Sequence, residues 1–143
     1  MRFATRTTIA APPERVWAIL TDLPNWPTWN STVVSTKGQV ALGAKVAVTV
    51  KANPGRAFAV KVQTLTAPHE MTWVGGMPLG LFTGTRTYTL AAQNGATEFS
   101  MVEEYTGPMA GLITKSIPDL QPSFDEFASC LKQRAEAETD GSR

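Results

Sequence analysis

Hydrophobic and polar positions alternate along much of the chain, a pattern typical of β-strands with one buried face. The alternation first occurs over residues 2–9 and returns between residues 31 and 107, where turns rich in Gly, Pro and Asn interrupt it. Repeated strands at close spacing predict a meandering antiparallel sheet. We therefore expect one strand near the start of the chain and about six more in its middle.

The turn at Asn94-Gly95 predicts how two of these strands face each other, because this dipeptide favours a two-residue type I′ hairpin. With this turn, three pairs lie on one side of the sheet: Leu90 with Phe99, Tyr88 with Met101, and Arg86 with Glu103. The opposite side carries mainly threonines. One face is then aromatic and apolar with a single opposite-charge pair, and the other face can meet water.

A helical pattern follows the first strand. Pro12-Pro13-Glu14 predicts a helix start, because proline suits the first helical position and Glu14 complements the positive end of the helix dipole. We expect this helix to end near Asp22, ahead of Pro24. Residues 25–30 predict a further short helical turn.

The last part of the chain has the spacing of an amphipathic helix. Its apolar residues recur every three or four positions from Leu120 to Leu131. Pro118 and Pro122 are expected to kink or interrupt the helix early, with residues 112–117 as a preceding turn or two of the same helix.

Length and composition limit what the protein can do. The chain has 143 residues, 43% of them hydrophobic, a formal net charge of +1, one Cys and one His. These values predict a single domain over residues 1–138 with a frayed tail over 139–143, and they disfavour a polybasic nucleic-acid binder. No signal peptide or bilayer-spanning stretch is recognisable, so we expect a cytoplasmic protein without membrane insertion. We expect no metal and no cofactor.

The order of the predicted elements resembles the START-like (SRPBCC) superfamily, in particular its polyketide cyclase/dehydrase-type branch. Six segments carry the resemblance: Ala11–Asp22, Trp26–Asn30, Gly84–Leu90, Gly95–Thr97, Glu103–Gly107 and Phe124–Glu136. The resemblance implies an α+β helix-grip fold, in which a curved seven-stranded antiparallel sheet wraps around a long C-terminal helix. Two short helices would lie between the first two strands. It also implies a hydrophobic cavity for lipids, sterols, polyketides or similar molecules, with no cofactor common to the family.

The apolar face of the sheet has two interpretations, a filled core or the wall of a ligand cavity. The resemblance favours the cavity, because ligand pockets are mainly apolar with a few polar groups that orient the ligand. The predicted ligand-binding residues are Phe58, Val60, Trp73, Phe82, Arg86, Tyr88, Leu90, Phe99, Met101, Glu103, Met109, Ile113, Leu120, Phe124 and Phe127.

Arg86 and Glu103 form the most specific part of this prediction. A charge on an apolar face needs a partner, because unpaired burial costs several kcal/mol. The two residues form either a purely structural pair or the polar contact that orients a ligand; a register shifted by one residue would instead turn them to solvent.

Other candidates carry less information. Gly75–Phe82 is either an ordinary loop or a flap at the cavity mouth, with Met109–Ile113 as the opposite lip. His69 is expected in an exposed turn, and Cys130 is expected to fill a small buried space. Trp17, Trp26 and Trp29 are expected to pack the short helices against the end of the sheet, with contact to the cavity as the alternative for Trp29.

These observations predict a monomer or homodimer that binds, transports or sequesters a small hydrophobic molecule between the sheet and the last helix. The alternative is a polyketide cyclase or dehydratase that uses Glu103 and Tyr88 as acid and base groups, with Arg86 stabilising a developing enolate. An interaction module would need a large exposed apolar patch, and the threonine-rich face gives it little support.

Overall fold

The computed structural model describes residues 1–55 and 57–141, with the backbone alone for residues 138–141. Within these residues, seven strands form one antiparallel sheet in the order β1-β7-β6-β5-β4-β3-β2. The strands are β1 (Arg2–Ile9), β2 (Val33–Lys37), β3 (Lys45–Val50), β4 (Ala57–Thr66), β5 (Glu70–Met77), β6 (Phe82–Gln93) and β7 (Ala96–Thr106). The predicted meander is confirmed, with β1 added beside β7.

Four α-helices accompany the sheet in the described part of the chain. They are α1 (Pro13–Leu20), α2 (Trp26–Trp29), α3 (Ala110–Ile113) and α4 (Gln121–Gly141). Short 3₁₀ turns lie at Leu23–Asn25, Pro78–Gly80 and Thr114–Ser116. The prediction of two short helices between β1 and β2 is therefore confirmed, and so is the long C-terminal helix. No helix among the described residues is long and apolar enough to cross a bilayer.

The hairpin between β6 and β7 has the predicted geometry. Asn94 and Gly95 both have positive φ, 53° and 82°, as a type I′ turn requires. The register pairs Arg86 with Glu103, and the two other predicted pairs also face each other. Local turn chemistry thus sets which side chains of the two longest strands lie together.

The C-terminal region differs in one respect from the prediction. α3 and the 3₁₀ turn after it form a separate piece, and α4 begins only after Pro118. Leu120 precedes α4, and its carbonyl accepts the hydrogen bond from the Phe124 N–H at 2.9 Å. The separation has a physical cause, since a proline cannot continue a helix and restricts the residue before it. Of the predicted frayed tail, residues 139–141 belong to the backbone of α4, and 142–143 lie outside the described residues.

Side chains of α4 bind the outer edge of β1. Gln121 Nε2 donates to the Ala4 carbonyl at 2.7 Å, and Lys132 Nζ donates to the Thr8 carbonyl, also at 2.7 Å. Unpaired carbonyls at a sheet edge attract other strands, so these contacts cover one edge. They also hold α4 across one face of the sheet, called here the inner face, where most of the core lies.

Candidate functional site

The ion pair predicted from the hairpin register lies on the inner face. Arg86 Nε donates to Glu103 Oε1 at 2.6 Å, and the two side chains are only 23% and 15% exposed. The Arg86 guanidinium carbon lies 4.8 Å from the ring centroid of Phe124 on α4, within cation–π range. The interpretation in which the pair faces solvent is therefore wrong. Arg86 and Glu103 lie between the sheet and α4.

The surroundings keep Glu103 ionised. Burial alone opposes ionisation and is the largest single influence on its pKa. The charge of Arg86, with hydrogen bonds from Tyr105 and Arg86, outweighs burial and holds the pKa of Glu103 below its usual value of 4.5. The positive charge of Arg86 is likewise favoured: burial opposes it, but Glu103 and the Tyr88 hydroxyl together outweigh burial and raise the pKa of Arg86.

Tyr105 belongs to this cluster and was not among the predicted site residues. Burial and the negative charge of Glu103 raise the pKa of Tyr105. Its ring stacks on Phe82 with 5.5 Å between centroids. The signal in the sequence was the two-residue spacing from Glu103, since residues two apart on a strand share a face.

Next to the ion pair lies a cluster of aromatic rings. Trp73 is paired in register with Arg86 on the neighbouring strand, and its ring lies 5.1 Å from that of Tyr88. Trp26 of α2 stacks on Trp73 at 5.5 Å, and Phe127 of α4 contacts Trp26 edge-on at 5.2 Å. Trp26, expected only to pack the short helices against the sheet, is thus central to the interior.

Two donors in this cluster lack a hydrogen-bond acceptor. Among the described residues, none accepts from Trp73 Nε1 or from the O–H of Tyr88, and both atoms are buried. The Tyr88 oxygen can itself accept a hydrogen bond from the Arg86 guanidinium. Burial raises the pKa of Tyr88 to about 12, because the nearby charge of Arg86 offsets only part of the effect. Tyr88 is therefore a neutral phenol at physiological pH.

The predicted ligand-binding residues fall into two groups. Those with buried side chains are Trp73, Tyr88, Leu90, Phe99, Met101, Phe124 and Phe127. Phe58 is exposed, at 41%, and all the others are half-buried. The structure has a surface depression of about 220 Å³ between α1, α2 and α4. Another, of about 360 Å³, lies on β1, β7 and β6, on the face of the sheet opposite α4, called here the outer face. None of the predicted residues lines either depression, so a ligand cavity on the inner face stays a prediction.

Gly75–Phe82, predicted to be a loop or a flap, is the end of a hairpin: residues 75–77 and 82 belong to β5 and β6, and only 78–81 connect the two strands. This hairpin end, called here the flap, lies beside the predicted lip Met109–Ile113 at one end of the sheet. The Met109 N–H donates to the Leu81 carbonyl at 2.9 Å. Gly107 allows this close approach, since a Cβ there would lie 2.7 Å from the Leu81 oxygen. Leu79 at the tip of the flap is 96% exposed and Leu112 on α3 is 66% exposed. This end of the molecule therefore presents apolar side chains to solvent.

The remaining candidates lie elsewhere. His69 is exposed in its turn, as predicted. Cys130 is half-buried and lies 3.4 Å from Ser31 Oγ, so it does not fill the core as expected. Trp29 is half-buried and contacts Phe127. Within the part of the chain that is described, no group of three or more His, Cys, Asp or Glu side chains is arranged to hold a metal ion.

Comparison of the sequence with protein-family models identifies the family of this chain. Residues 1–136 match the model described as polyketide cyclase / dehydrase and lipid transport. The chain belongs to this family. No curated protein matches the sequence.

Solved structures show the same fold at low sequence identity. The Zhui aromatase/cyclase from Streptomyces is 11% identical with a TM-score of 0.75, and the match covers 97% of this chain and 95% of that one. A START superfamily protein from Mycobacterium smegmatis is 14% identical with a TM-score of 0.72, covering 96% and 98%. A protein from Thermus thermophilus is 21% identical with a TM-score of 0.74, covering 97% and 99%. These similarities establish the START-like helix-grip fold.

Proposed function

We propose that this protein binds a small, mainly apolar molecule between the inner face of its sheet and α4. The observation that carries the proposal is an ion pair with a neutral tyrosine, Arg86–Glu103 with Tyr88, set into an otherwise aromatic and aliphatic interior. Binding sites for small molecules commonly combine an apolar lining with a few polar groups that orient the ligand. The family description, which includes lipid transport, supports the same function.

Entry would take place at the end of the sheet where the flap meets α3. There Met77, Leu79 and Leu112 are exposed, and a hydrogen bond at Met109 links the flap to α3. Since the rings of Trp26, Trp73 and Phe127 already contact one another, a ligand would have to displace side chains of the interior. Methionines such as Met101 and Met109 suit this, because their flexible side chains adapt to differently shaped partners.

A matched pair of variants on β7 tests the location of the ligand. Met101→Phe adds volume on the inner face, and Val102→Phe adds it one residue further along, on the outer face. With oleic acid, cholesterol and 2-acetylnaphthalene as probes, we expect a 1:1 complex of the wild type with at least one of them. Met101→Phe should weaken that complex roughly tenfold, because overpacking displaces the ligand, whereas Val102→Phe should leave it unchanged. Native mass spectrometry measures the stoichiometry of the complex, and calorimetric titration measures its affinity. If the wild type binds none of the probes, the proposal is overturned.

The enzymatic alternative uses the same side chains. Catalysis by Glu103 as a general base is disfavoured, because an efficient base has a pKa near the working pH and that of Glu103 is held low. Tyr88, with a pKa of about 12, is a weak acid. The geometry therefore supports binding better than proton transfer.

Glu103→Gln separates the two functions. A binding protein should keep its affinity for a bound probe within a few-fold, because an amide still accepts a hydrogen bond from Arg86. A cyclase or dehydratase that depends on the carboxylate should lose roughly 100-fold or more in turnover of a poly-β-ketone substrate. If the wild type turns over this substrate and Glu103→Gln reduces turnover by that factor, the protein is an enzyme.

A further inference from the structure

The two unpartnered donors beneath α4 carry chemical information about the ligand. Trp73 is 3% exposed and Tyr88 is fully buried. Neither Trp73 Nε1 nor the O–H of Tyr88 has an acceptor among the described residues, although the Tyr88 oxygen can itself accept from the Arg86 guanidinium beside it. Nearly all buried polar groups in native proteins are hydrogen-bonded, because an unsatisfied one loses the bonds it made to water. Two donors without an acceptor, on rings whose centroids are 5.1 Å apart, indicate an acceptor that is not among the described residues.

A neighbouring tryptophan shows that the fold can satisfy an indole in this interior. Trp26 stacks on Trp73 and is just as buried, yet its Nε1 donates to the Leu20 carbonyl at 3.0 Å. An indole N–H can only donate. The missing partner of Trp73 is therefore a hydrogen-bond acceptor.

Charge limits the nature of that acceptor. Arg86 is already bound to Glu103, so the ion pair leaves no net charge to balance an ionised ligand. Tyr88 keeps its proton at neutral pH, since burial raises its pKa to about 12. A carboxylate placed here would be a further buried charge next to Glu103, which is costly. An uncharged oxygen, such as a ketone or quinone carbonyl, can accept from both donors without this cost.

We infer that the ligand carries a neutral carbonyl oxygen that accepts hydrogen bonds from Trp73 Nε1 and the Tyr88 hydroxyl. The inference rests on the proposed function, since it names the chemistry of the ligand bound at that same place. The two residues lie on the adjacent strands β5 and β6, and their ring centroids are 5.1 Å apart at an interplanar angle of 62°. Trp73 becomes a specificity-determining residue, in addition to its packing role.

Two probes of nearly equal shape test this inference. 2-Acetylnaphthalene has a carbonyl where 2-isopropenylnaphthalene has a methylidene group, so the pair differs in the acceptor and hardly in size. We expect the wild type to bind the ketone roughly 10-fold more tightly than the alkene, as two hydrogen bonds of modest net strength would give. Trp73→Phe and Tyr88→Phe should each reduce this ratio roughly threefold and keep most of the affinity for the alkene.

The controls use the other tryptophans. Trp17→Phe on α1 replaces a half-buried indole outside the aromatic cluster and should leave the ratio unchanged. The chain has four tryptophans, so the indole N–H signals of the labelled protein can be assigned from the Trp→Phe variants. The signal of Trp73 should shift downfield with the ketone and not with the alkene, whereas that of Trp26 should stay in place.

The outcomes separate the inference from the proposed function. Equal affinity for ketone and alkene, with an unmoved Trp73 signal, would overturn the inference and leave apolar binding intact. A ratio that Trp73→Phe and Tyr88→Phe do not change would overturn it as well. Absence of binding of both probes, of oleic acid and of cholesterol would overturn the proposed function, and the inference with it.

Discussion

Glu103→Leu is expected to lower the free energy of unfolding by about 2–4 kcal/mol, because it leaves the Arg86 guanidinium without its carboxylate. The two side chains are 23% and 15% exposed, so water relieves only part of this cost. Breaking a buried pair by removing one partner typically costs about 3–5 kcal/mol, and partial exposure reduces the expected value. Urea denaturation at pH 7 measures the difference.

A second ion pair, which joins β1 to β7, provides a matched control. Arg6 Nη2 lies 2.6 Å from Glu98 Oε2 on the outer face, and the Arg6 side chain is 72% exposed. Exposed pairs contribute little, so Glu98→Leu should cost less than about 1 kcal/mol. Adding Arg86→Met to Glu103→Leu should recover much of the lost stability, because two apolar side chains replace the pair. An equal loss for Glu98→Leu and Glu103→Leu would contradict the argument from burial.

The same variant should also change how stability depends on pH. Folding lowers the pKa of Glu103 below its ordinary 4.5, so the ionised carboxylate stabilises the native state at pH values above that level. This contribution is lost as the pH falls through the lower, native pKa. The difference between wild type and Glu103→Leu should therefore be full at pH 6–7 and shrink below about pH 4.5. A difference that stays constant down to pH 3 would show that the carboxylate's charge is not involved.

The hairpin that positions Arg86 and Glu103 could be predicted from the sequence because its determinants are local. Asn94-Gly95 favours one turn type, the turn determines the register, and a period of two then assigns each side chain to a face. The strand β1 and the start of α1 could be predicted equally well, since the effects of proline and of hydrophobic alternation act over only a few residues.

The interior of the site could be predicted only in part, because it depends on contacts between distant segments. Trp26 stacks on Trp73 only because α2 packs against the inner face, and no pattern within residues 25–30 indicates that contact. The unpartnered N–H of Trp73 follows from the positions of all its neighbours, which a single sequence does not define. Leu120 was assigned to the last helix because helical spacing alone does not locate the point at which Pro118 ends the preceding turn.

Phe127→Ala is expected to cause the largest loss of stability among the variants considered, about 3–5 kcal/mol in the free energy of unfolding. Phe127 is 3% exposed and contacts the rings of Trp26 at 5.2 Å and Phe99 at 6.1 Å. Its removal takes away the ring through which α4 packs on the aromatic cluster and leaves a cavity. Since a domain of this size is stable by roughly 5–15 kcal/mol, Phe127→Leu, at about 1–2 kcal/mol, serves as a milder variant.

Phe58→Ala is the control for this effect, because Phe58 is 41% exposed on β4 and should cost less than about 1 kcal/mol. The space left by Phe127 would lie directly beneath α4, where the apolar ligand is proposed to bind. Saturating naphthalene should therefore raise the melting temperature of Phe127→Ala or Phe127→Leu by more than that of the wild type, since a ligand that fills an apolar cavity stabilises the folded state. A loss below about 1 kcal/mol for Phe127→Ala would contradict the central position of this ring. An equal shift for variant and wild type would mean that naphthalene binds away from the space beneath α4.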